Sequence, residues 1–351
     1  MWFKTVNCLL TKQNKDMEFE FFIGIDVSKN ELDFSIQQGK CFLFHTEINN
    51  EPEAIKALIK EISKLKGFSL SSAVFCMEHT GIYSNHLLSC LYHKKANICL
   101  QSATHIKKSL GNLRGKNDKV DSMRIAAYTY KNRDELRLWA PRREEVQQLA
   151  HLSSTRSRLI KAKKMLKTPL KEYGSFVKKK AVKQNTDVCN HALKGIEASL
   201  ENVEKSIMLI INNDPELKRL FTLVTSVVGV GKVIALQMIV TTNEFKDIND
   251  AKAYACYAGL VPYVEESGIF KGKGRISHMA NKKVKTLLHM AALVAIQYNE
   301  ELKHYYQRKV NIDKKNKMSV INAVRNKLVQ RIFSCVNQNR KYEKNYLKLV
   351  A

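Results

Sequence analysis

The chain has 351 residues, enough for roughly two or three domains that each bury a hydrophobic core. Lys and Arg number 59 and Asp and Glu 33, so the formal net charge of +26 predicts a polyanionic partner, nucleic acid rather than membrane. The eight cysteines form no Cys-x-x-Cys pair and so suggest neither a zinc site nor a disulfide framework, and no uncharged run approaches the roughly 20 residues of a membrane span.

The first strong signal is the run from Phe21 to Val27, which follows a predicted loose leader over residues 1–20. Its apolar, partly β-branched residues predict a buried strand. Asp26 stands inside this strand, where Asp is disfavoured and costly to bury without a partner, for which a divalent cation is the usual choice. Gly24 would let another backbone or a ligand come close. Taken alone, Asp26 fits an ordinary turn at the end of a strand equally well.

The following elements have the order β-β-β-α-β-α-β, which predicts an α/β sandwich with mixed strands. A central strand that bears Asp and continues into a β-meander is how RNase H-like folds begin. Glu78 ends a second apolar strand, beyond whose carboxyl end sites form in α/β sheets. The predicted ranges are strands 32–36, 41–45, 72–78 and 98–100 and helices 52–66 and 83–93.

A basic segment with two glycines, residues 107–117, precedes a helix predicted to begin at Asp118. Such a segment suits a backbone that approaches phosphates. Asp118 is predicted to cap the helix, and Asp121 follows on the same face three residues later. Alone, the pair fits an ordinary N-cap with a first-turn acid that the helix dipole favours.

Considered together, the four carboxylates of Asp26, Glu78, Asp118 and Asp121 favour a different interpretation. Two come from strand ends and two from one helix face. Hard cations such as Mg²⁺ take oxygen ligands, and carboxylates from such elements hold paired ions for phosphoryl transfer. The sequence therefore predicts a metal-dependent site for this chemistry.

Residues 144–214 have helical apolar spacing and no strand signal. Two long helices, the first interrupted at Pro169 and Gly174, predict an antiparallel or intermolecular coiled coil. The Lys-rich middle, residues 161–183, fits either contact with nucleic acid or an ordinary solvated face.

The second half has two glycine-rich features. Residues 228–232, Val-Gly-Val-Gly-Lys, are typical of the hairpin in a helix-hairpin-helix, where glycines expose backbone N–H groups to a phosphate. Residues 263–278 form a basic Gly-rich loop with Ser267 near its start, which suits either a loop that wraps a phosphate and presents a hydroxyl or a flexible surface β-hairpin. Helices are predicted over 250–259, 282–299 and 301–351.

This order of motifs resembles the insertion-sequence-110 family of DEDD transposases, which are bridge-RNA-guided recombinases. The resemblance covers nearly the whole chain from about residue 21, and its specificity lies in the combined order of the motifs. The matching motifs are Gly24-Ile25-Asp26-Val27-Ser28-Lys29, Met77-Glu78-His79-Thr80-Gly81, Lys116-Asn117-Asp118-Lys119-Val120-Asp121-Ser122, Val228-Gly229-Val230-Gly231-Lys232, Tyr257-Ala258-Gly259-Leu260-Val261-Pro262 and Ser267-Gly268 followed by Gly274-Arg275-Ile276-Ser277.

The resemblance implies a RuvC-like (RNase H-like) domain over residues 21–140, a coiled coil or linker over 141–215 and a mainly helical C-terminal transposase domain over 216–351. It implies that Asp26, Glu78, Asp118 and Asp121 bind Mg²⁺, or Mn²⁺, and that Ser267 is a nucleophile that forms a covalent phosphoserine. The chain has Ser122 where the family usually has Ala, and Ala280-Asn281 where it often has Gly-Asn; neither change removes a catalytic group.

The partners implied are donor and target DNA, a non-coding bridge RNA and further copies of the chain in a dimer or tetramer, in the prokaryotic cytoplasm at the nucleoid and without a membrane. Asp121 and Ser267 are 146 positions apart (267 minus 121) with a coiled coil between them, which predicts that the two half-sites meet across protomers. The predicted nucleic-acid contacts are Lys29, Arg114, Lys116, Gly229, Gly231, Lys232, Lys271, Lys273 and Arg275.

Three other functions remain open at this stage. A metal-dependent nuclease or Holliday-junction resolvase would use the four acids and water, with Ser267 only structural. A tyrosine nucleophile, Tyr263 or Tyr257, is a variant of the recombinase. A non-catalytic nucleic-acid-binding scaffold fits the charge but gives Asp26 and Glu78 no purpose.

Overall fold

The computed structural model describes residues 18–79, 81–110, 117–263, 266–267, 270–272, 274–276 and 280–343. The chain divides into two compact units, Met1–Pro141 and Arg142–Ala351. The first unit is mixed α/β and the second almost wholly helical, which confirms the coarse fold class expected from the sequence. Within the described ranges, no helix is long and apolar enough to cross a bilayer. The predicted leader falls almost entirely outside them.

One five-stranded sheet forms the centre of the first unit. Its strand order is β3-β2-β1-β4-β5, so β1, the strand that bears Asp26, lies in the middle. β1 pairs antiparallel with β2 and parallel with β4, β2 pairs antiparallel with β3, and β4 pairs parallel with β5. The strands are β1 Phe21–Val27, β2 Glu31–Gln38, β3 Cys41–Asn49, β4 Ala73–Glu78 and β5 Asn97–Gln101.

Both faces of the sheet are covered by helices, because β1 is apolar on both sides. Ile23 and Ile25 pack with the apolar residues of α1 and α2, and Phe22 packs on the other face with residues of α3 and α4. The helices of this unit are α1 Pro52–Ile62, α2 Asn85–His93, α3 Ala103–Leu110 and α4 Asp118–Lys131, with short 3-10 helices at Gly81–Ser84 and Arg133–Glu135.

The second unit begins with two long helices, α5 Glu144–Phe176 and α6 Lys179–Asn213, which form an antiparallel pair within the chain. Ion pairs fix their register, with Arg156 on Glu204 (2.9 Å) and Lys163 on Glu197 (2.6 Å). The predicted interruption of the first helix is wrong, since α5 continues through Pro169 and Gly174. Pro169 is exposed, so water can solvate the carbonyl group that its missing N–H leaves without a partner.

The remaining helices bury a core that includes Val224, Ile239, Leu288 and Phe333. α7 and α8 are joined by residues 226–231, which include the glycine-rich residues 228–231. The helices are α7 Pro215–Thr225, α8 Lys232–Thr242, α9 Ala251–Tyr257, α10 Lys282–Tyr298, α11 Glu300–Gln307 and α12 Lys317–Asn337, with a π-helix at Arg308–Ile312 and a hairpin of β6 Glu266–Ser267 and β7 Phe270–Lys271.

Candidate active site

Two of the predicted carboxylates, Asp26 and Glu78, lie on neighbouring strands at the same end of the sheet. β1 and β4 run parallel with Ile25 opposite Met77, so Asp26 and Glu78 are the next residues along their strands. Since side chains alternate along a strand, both project from one face. The topology therefore brings together two acids that are 52 positions apart (78 minus 26).

Helix α4 brings Asp118 and Asp121 to the same face, and Gly24 of β1 makes its close packing feasible. A side chain at Gly24 would collide with the backbone of Ser122 and Ala126, which are residues of α4. The close approach predicted for Gly24 is thus that of a helix backbone. Ser122, the departure from the family pattern, is buried and hydrogen-bonded to Ser35 of β2 (2.8 Å).

The N-terminus of α4 corrects one local prediction. The capping residue is Asn117, whose side chain accepts from the backbone N–H of Lys119 (2.9 Å), whereas Asp118 is the first helical residue. Asp118 is therefore not used as the cap, and both it and Asp121 lie in the first turn, where the helix dipole favours negative charge. Asp121 also accepts from Arg124 of the same helix (2.8 Å).

The charges of the other three acids act on Asp26. Burial raises the pKa of Asp26 to about 6, and the negative charges of Asp118, Asp121 and Glu78, in that order, contribute to the increase. A hydrogen bond from the backbone N–H of Val27 acts in the opposite direction. Repulsion of this kind is what neighbouring carboxylates experience when no cation lies between them.

The donor chemistry of this cluster fits a hard divalent cation, since its four side chains offer only carboxylate oxygens. A cation would also relieve the repulsion on Asp26. In the ranges that the structure describes, however, no three His, Cys, Asp or Glu side chains are already arranged to hold one ion.

The sequence analysis missed a fifth acid, Asp33, which is directly opposite Asp26 in the pairing of β1 with β2. Opposite residues of an antiparallel pair project from the same face. Asp33 is buried and bonded to Nε2 of His45 on β3 (2.8 Å). The available signal was an Asp in the middle of an alternating strand, where an acid is disfavoured.

Ser267 lies in the second unit, on the β6–β7 hairpin, and is exposed. Its strand pairs Ser267 with Phe270. Tyr263 and Arg275 exchange two backbone hydrogen bonds of 2.8 Å at the base of the segment. In the described part of residues 263–278, Ser267 thus lies in a short antiparallel strand pair and is exposed to solvent.

The two alternative tyrosine nucleophiles are engaged in hydrogen bonds. The bond between Tyr263 and the Cys256 thiol, together with burial, raises the pKa of Tyr263 to about 12. The hydroxyl of Tyr257 accepts from Nδ2 of Asn281 (2.7 Å). A phenol must lose its proton to attack, so the raised pKa disfavours Tyr263.

The predicted nucleic-acid contacts are spread over both units. Lys29, Lys232 and Arg275 are exposed, as a contact with nucleic acid requires. Gly229 has positive φ, and a Cβ there would meet Ala291 and Ala295 of α10, whereas a Cβ at Gly231 would face open space. Arg114, Lys116 and Lys273 lie outside the described residues, and only the backbone of Lys271 is described.

Two protein-family models match this chain, and both describe transposases. A family model for DEDD transposases of the IS110 type, described as "Transposase", matches residues 23–173, which include the four acids. A second model, "Transposase IS116/IS110/IS902 family", matches residues 221–307, which include Ser267.

Two curated relatives are similar over most of their length. The pilin gene-inverting protein of Moraxella lacunata is 26% identical over 333 residues, which cover 92% of this chain and 98% of that protein. The pilin gene-inverting protein of Moraxella bovis is 26% identical over 332 residues with the same coverage. From the two family models, which match both halves of the chain, we conclude that it belongs to the IS116/IS110/IS902 family of transposases, enzymes that cut and rejoin DNA.

Proposed function

We propose that this transposase transfers phosphoryl groups of DNA with Asp26, Glu78, Asp118 and Asp121 as metal ligands and Ser267 as the nucleophile. The main support for the metal-ligand role of the four carboxylates is the raised pKa of Asp26, which burial and the three other acids cause. The strand order β3-β2-β1-β4-β5, with a central strand that bears Asp26, supports an RNase H-like or RuvC-like first unit.

Mg²⁺, or Mn²⁺ in its place, would supply charge stabilisation at the phosphoryl oxygens and lower the cost of activating the attacking group. The fold of the chain positions the four carboxylates that would bind the metal. Two adjacent strands fix Asp26 and Glu78, and the close contact of Gly24 with α4 fixes Asp118 and Asp121 against them.

The serine step conserves the energy of the phosphodiester bond. Ser267 Oγ forms a bond to phosphorus, the P–O bond to one deoxyribose breaks, and that oxygen leaves as a hydroxyl. The serine proton passes to a base, because the neutral hydroxyl is a weak nucleophile. Attack by a strand-end hydroxyl on the phosphoserine reverses these events, so rejoining needs no ATP.

Rejoining is the reason to prefer this mechanism to hydrolysis by water. The two curated relatives are named for inverting a pilin gene, and an inversion requires that every cut strand be joined again. A nuclease or resolvase with the same four acids would use water and give Ser267 no function. Ser267 is exposed, so its hydroxyl is accessible to a phosphate group.

We further propose that a bridge RNA guides the enzyme, that copies of the chain assemble as a dimer or tetramer, and that it acts at the nucleoid. The net charge of +26 supports binding of two kinds of nucleic acid. Because the acids belong to the first unit and Ser267 to the second, we propose that one protomer supplies the carboxylates and another the serine.

A mixing experiment tests the shared site and the roles of its parts together. Asp26→Asn and Ser267→Ala proteins should each be inactive in strand exchange with Mg²⁺, flanking non-coding RNA and donor DNA, and their mixture should recover activity. Asp134→Asn, a change of an exposed acid in the same unit as Asp26, is the control and should remain active. Activity of Asp26→Asn alone would contradict the metal-ligand role, and no recovery on mixing would contradict the shared site.

A further inference from the structure

A buried arginine in the second unit has no acidic partner among the residues that the structure describes. Arg325 of α12 is 5% exposed. Its Nη2 donates to Nδ1 of His289 on α10, and its Nη1 donates to Oδ1 of Asn322 at 3.4 Å. Its Nε is buried without any hydrogen-bond partner. Among the described residues no ion pair includes Arg325, so its charge is balanced by neutral acceptors alone.

Other arginines of this unit form ion pairs with acidic side chains. Arg331, two turns further along α12, pairs with Glu301 (2.6 Å), and Arg143 holds both Glu244 and Asp214. A buried charge without a counter-ion loses its hydration and recovers little. Guanidinium nevertheless keeps its proton in proteins. As far as the described part of the chain extends, the charge of Arg325 is therefore uncompensated, and an anion would neutralise it.

His289 is the neutral neighbour of Arg325. Burial and the charge of Arg325 lower the pKa of His289, so the imidazole is neutral at neutral pH. Since its Nδ1 accepts from Arg325, its proton is on Nε2. Arg325 contributes a positive charge and a buried N–H group without a partner, and His289 carries a further N–H group; donors of these kinds recognise phosphate oxygens.

The pair lies close to the root of the hairpin that carries Ser267. Asn322, one helical turn before Arg325, donates from Nδ2 to the backbone oxygen of Leu260 (2.7 Å). Leu260 is three residues before Tyr263, where the paired base of the hairpin begins. A group bound at Arg325 would thus be bound near the segment that positions Ser267.

We propose that Arg325 and His289 form a binding site for one backbone phosphate of the nucleic acid that this protein handles. The identity of the ligand rests on the proposed function, whereas the anion site rests on the unbalanced guanidinium. Asn322 is half-buried and bonded to Nη1 of Arg325 at 3.4 Å, so rotation of its side chain would open Nη1 to a phosphate oxygen while His289 stays bonded to Nη2. The net charge of +26 favours a nucleic-acid phosphate over an acidic protein segment.

Thermal unfolding in different anions tests the site without any cleavage reaction. Wild type, Arg325→Met and Arg331→Met would be melted in chloride, inorganic phosphate and acetate at equal ionic strength. We expect Arg325→Met to melt at or above the wild-type temperature in chloride, because an unpaired buried charge is removed, and to gain less from phosphate than wild type does. Arg331→Met, which breaks an ion pair on the same helix, should melt lower but keep the full gain from phosphate.

The salt dependence of DNA binding provides the second measurement. Arg325→Met should lose one phosphate contact, which should reduce the slope of log affinity against log salt by about one. In Arg331→Met the slope should be unchanged or change less. An Arg325→Met protein that fails to fold, or melts lower with an unchanged gain from phosphate, would overturn the proposal in favour of a structural arginine. Stabilisation by acetate and not by phosphate would overturn it in favour of a carboxylate partner.

These outcomes are independent of the serine mechanism. A gain from phosphate that depends on Arg325 would support the anion site even if Ser267→Ala left the covalent chemistry intact. Covalent chemistry that needs Ser267, with the gain from phosphate and the salt slope unchanged in Arg325→Met, would support the proposed function and reject the anion site.

Discussion

Replacing Asp26 with Asn should stabilise the metal-free protein, although Asp26 belongs to the proposed catalytic site. The pKa of Asp26 is about 6 against an ordinary value of 3.8, which corresponds to about 3 kcal/mol of unfavourable free energy for the ionised form in the folded state. Asp26 is partly exposed, so solvent screening reduces this to roughly 1–2 kcal/mol. Asn has nearly the same shape and no charge.

The pH dependence has a definite sign. Between pH 3.8 and about 6 the folded protein binds more protons at Asp26 than the unfolded chain does, so this group destabilises the fold increasingly as the pH rises through that window. Above about pH 6, Asp26 is ionised in both the folded and the unfolded protein, and its full unfavourable contribution to the free energy of folding applies. Asp26→Asn should therefore exceed wild type in stability by roughly 1–2 kcal/mol at pH 8, with a smaller difference at pH 5.

The assay is unfolding of wild type and Asp26→Asn between pH 5 and 8, first in EDTA and then in Mg²⁺. Mg²⁺ should stabilise wild type and narrow the difference, because the cation offsets the repulsion among the four acids. Asp134→Asn, which alters an exposed acid of the same unit, is the control variant. A variant that is less stable than wild type at pH 8 in EDTA, or a difference that does not change with pH, would refute the reasoning.

Two further predictions concern packing. Gly24→Ala should lower the free energy of unfolding by 1–3 kcal/mol or more, because its Cβ meets the backbone of α4, and should abolish strand exchange; Gly195→Ala, at a helical site with open space, should be neutral or stabilise by about 1 kcal/mol. Equal melting temperatures for the two variants would contradict this. Arg143→Met should cost about 1.5–3 kcal/mol, because it removes the charged hydrogen bonds to the buried Glu244 and to Asp214 and leaves Lys246 as the remaining cation on Glu244. Adding Glu244→Gln should recover part of the loss in a double-mutant comparison; a double variant with no recovery would show that the ion pair with Glu244 is not the cause.

Local sequence patterns predicted the elements of the site better than their contacts. The acid in a buried strand at Asp26 and the pair on one helix at Asp118 and Asp121 could be recognised because strand and helix periodicity are local properties. The contact of Gly24 with α4 could not, since it depends on a helix about 100 positions away in the sequence. The helix is capped by Asn117 and not by the predicted Asp118; the sequence did not distinguish them because either side chain can accept a hydrogen bond from a backbone N–H.

The features missed in the second unit have a common physical origin. Pro169 was expected to interrupt a helix, but α5 packs along α6, and the tertiary packing outweighs one lost hydrogen bond at an exposed position. Arg325 was one basic residue among many in a helical segment, and its burial is set by helices distant in sequence. Sequence composition cannot distinguish a buried, unpaired guanidinium from a solvated one.

The most direct test of the central claim is to trap the covalent intermediate. Wild type, Ser267→Ala and Ser199→Ala, which alters an exposed serine of α6, would be incubated with Mg²⁺, flanking non-coding RNA and donor DNA and run on a denaturing gel. We expect a protein–DNA adduct for wild type and Ser199→Ala that is absent from Ser267→Ala. Cleavage of DNA without an adduct, at the same rate in Ser267→Ala as in wild type, would contradict the serine mechanism and leave a nuclease that uses water.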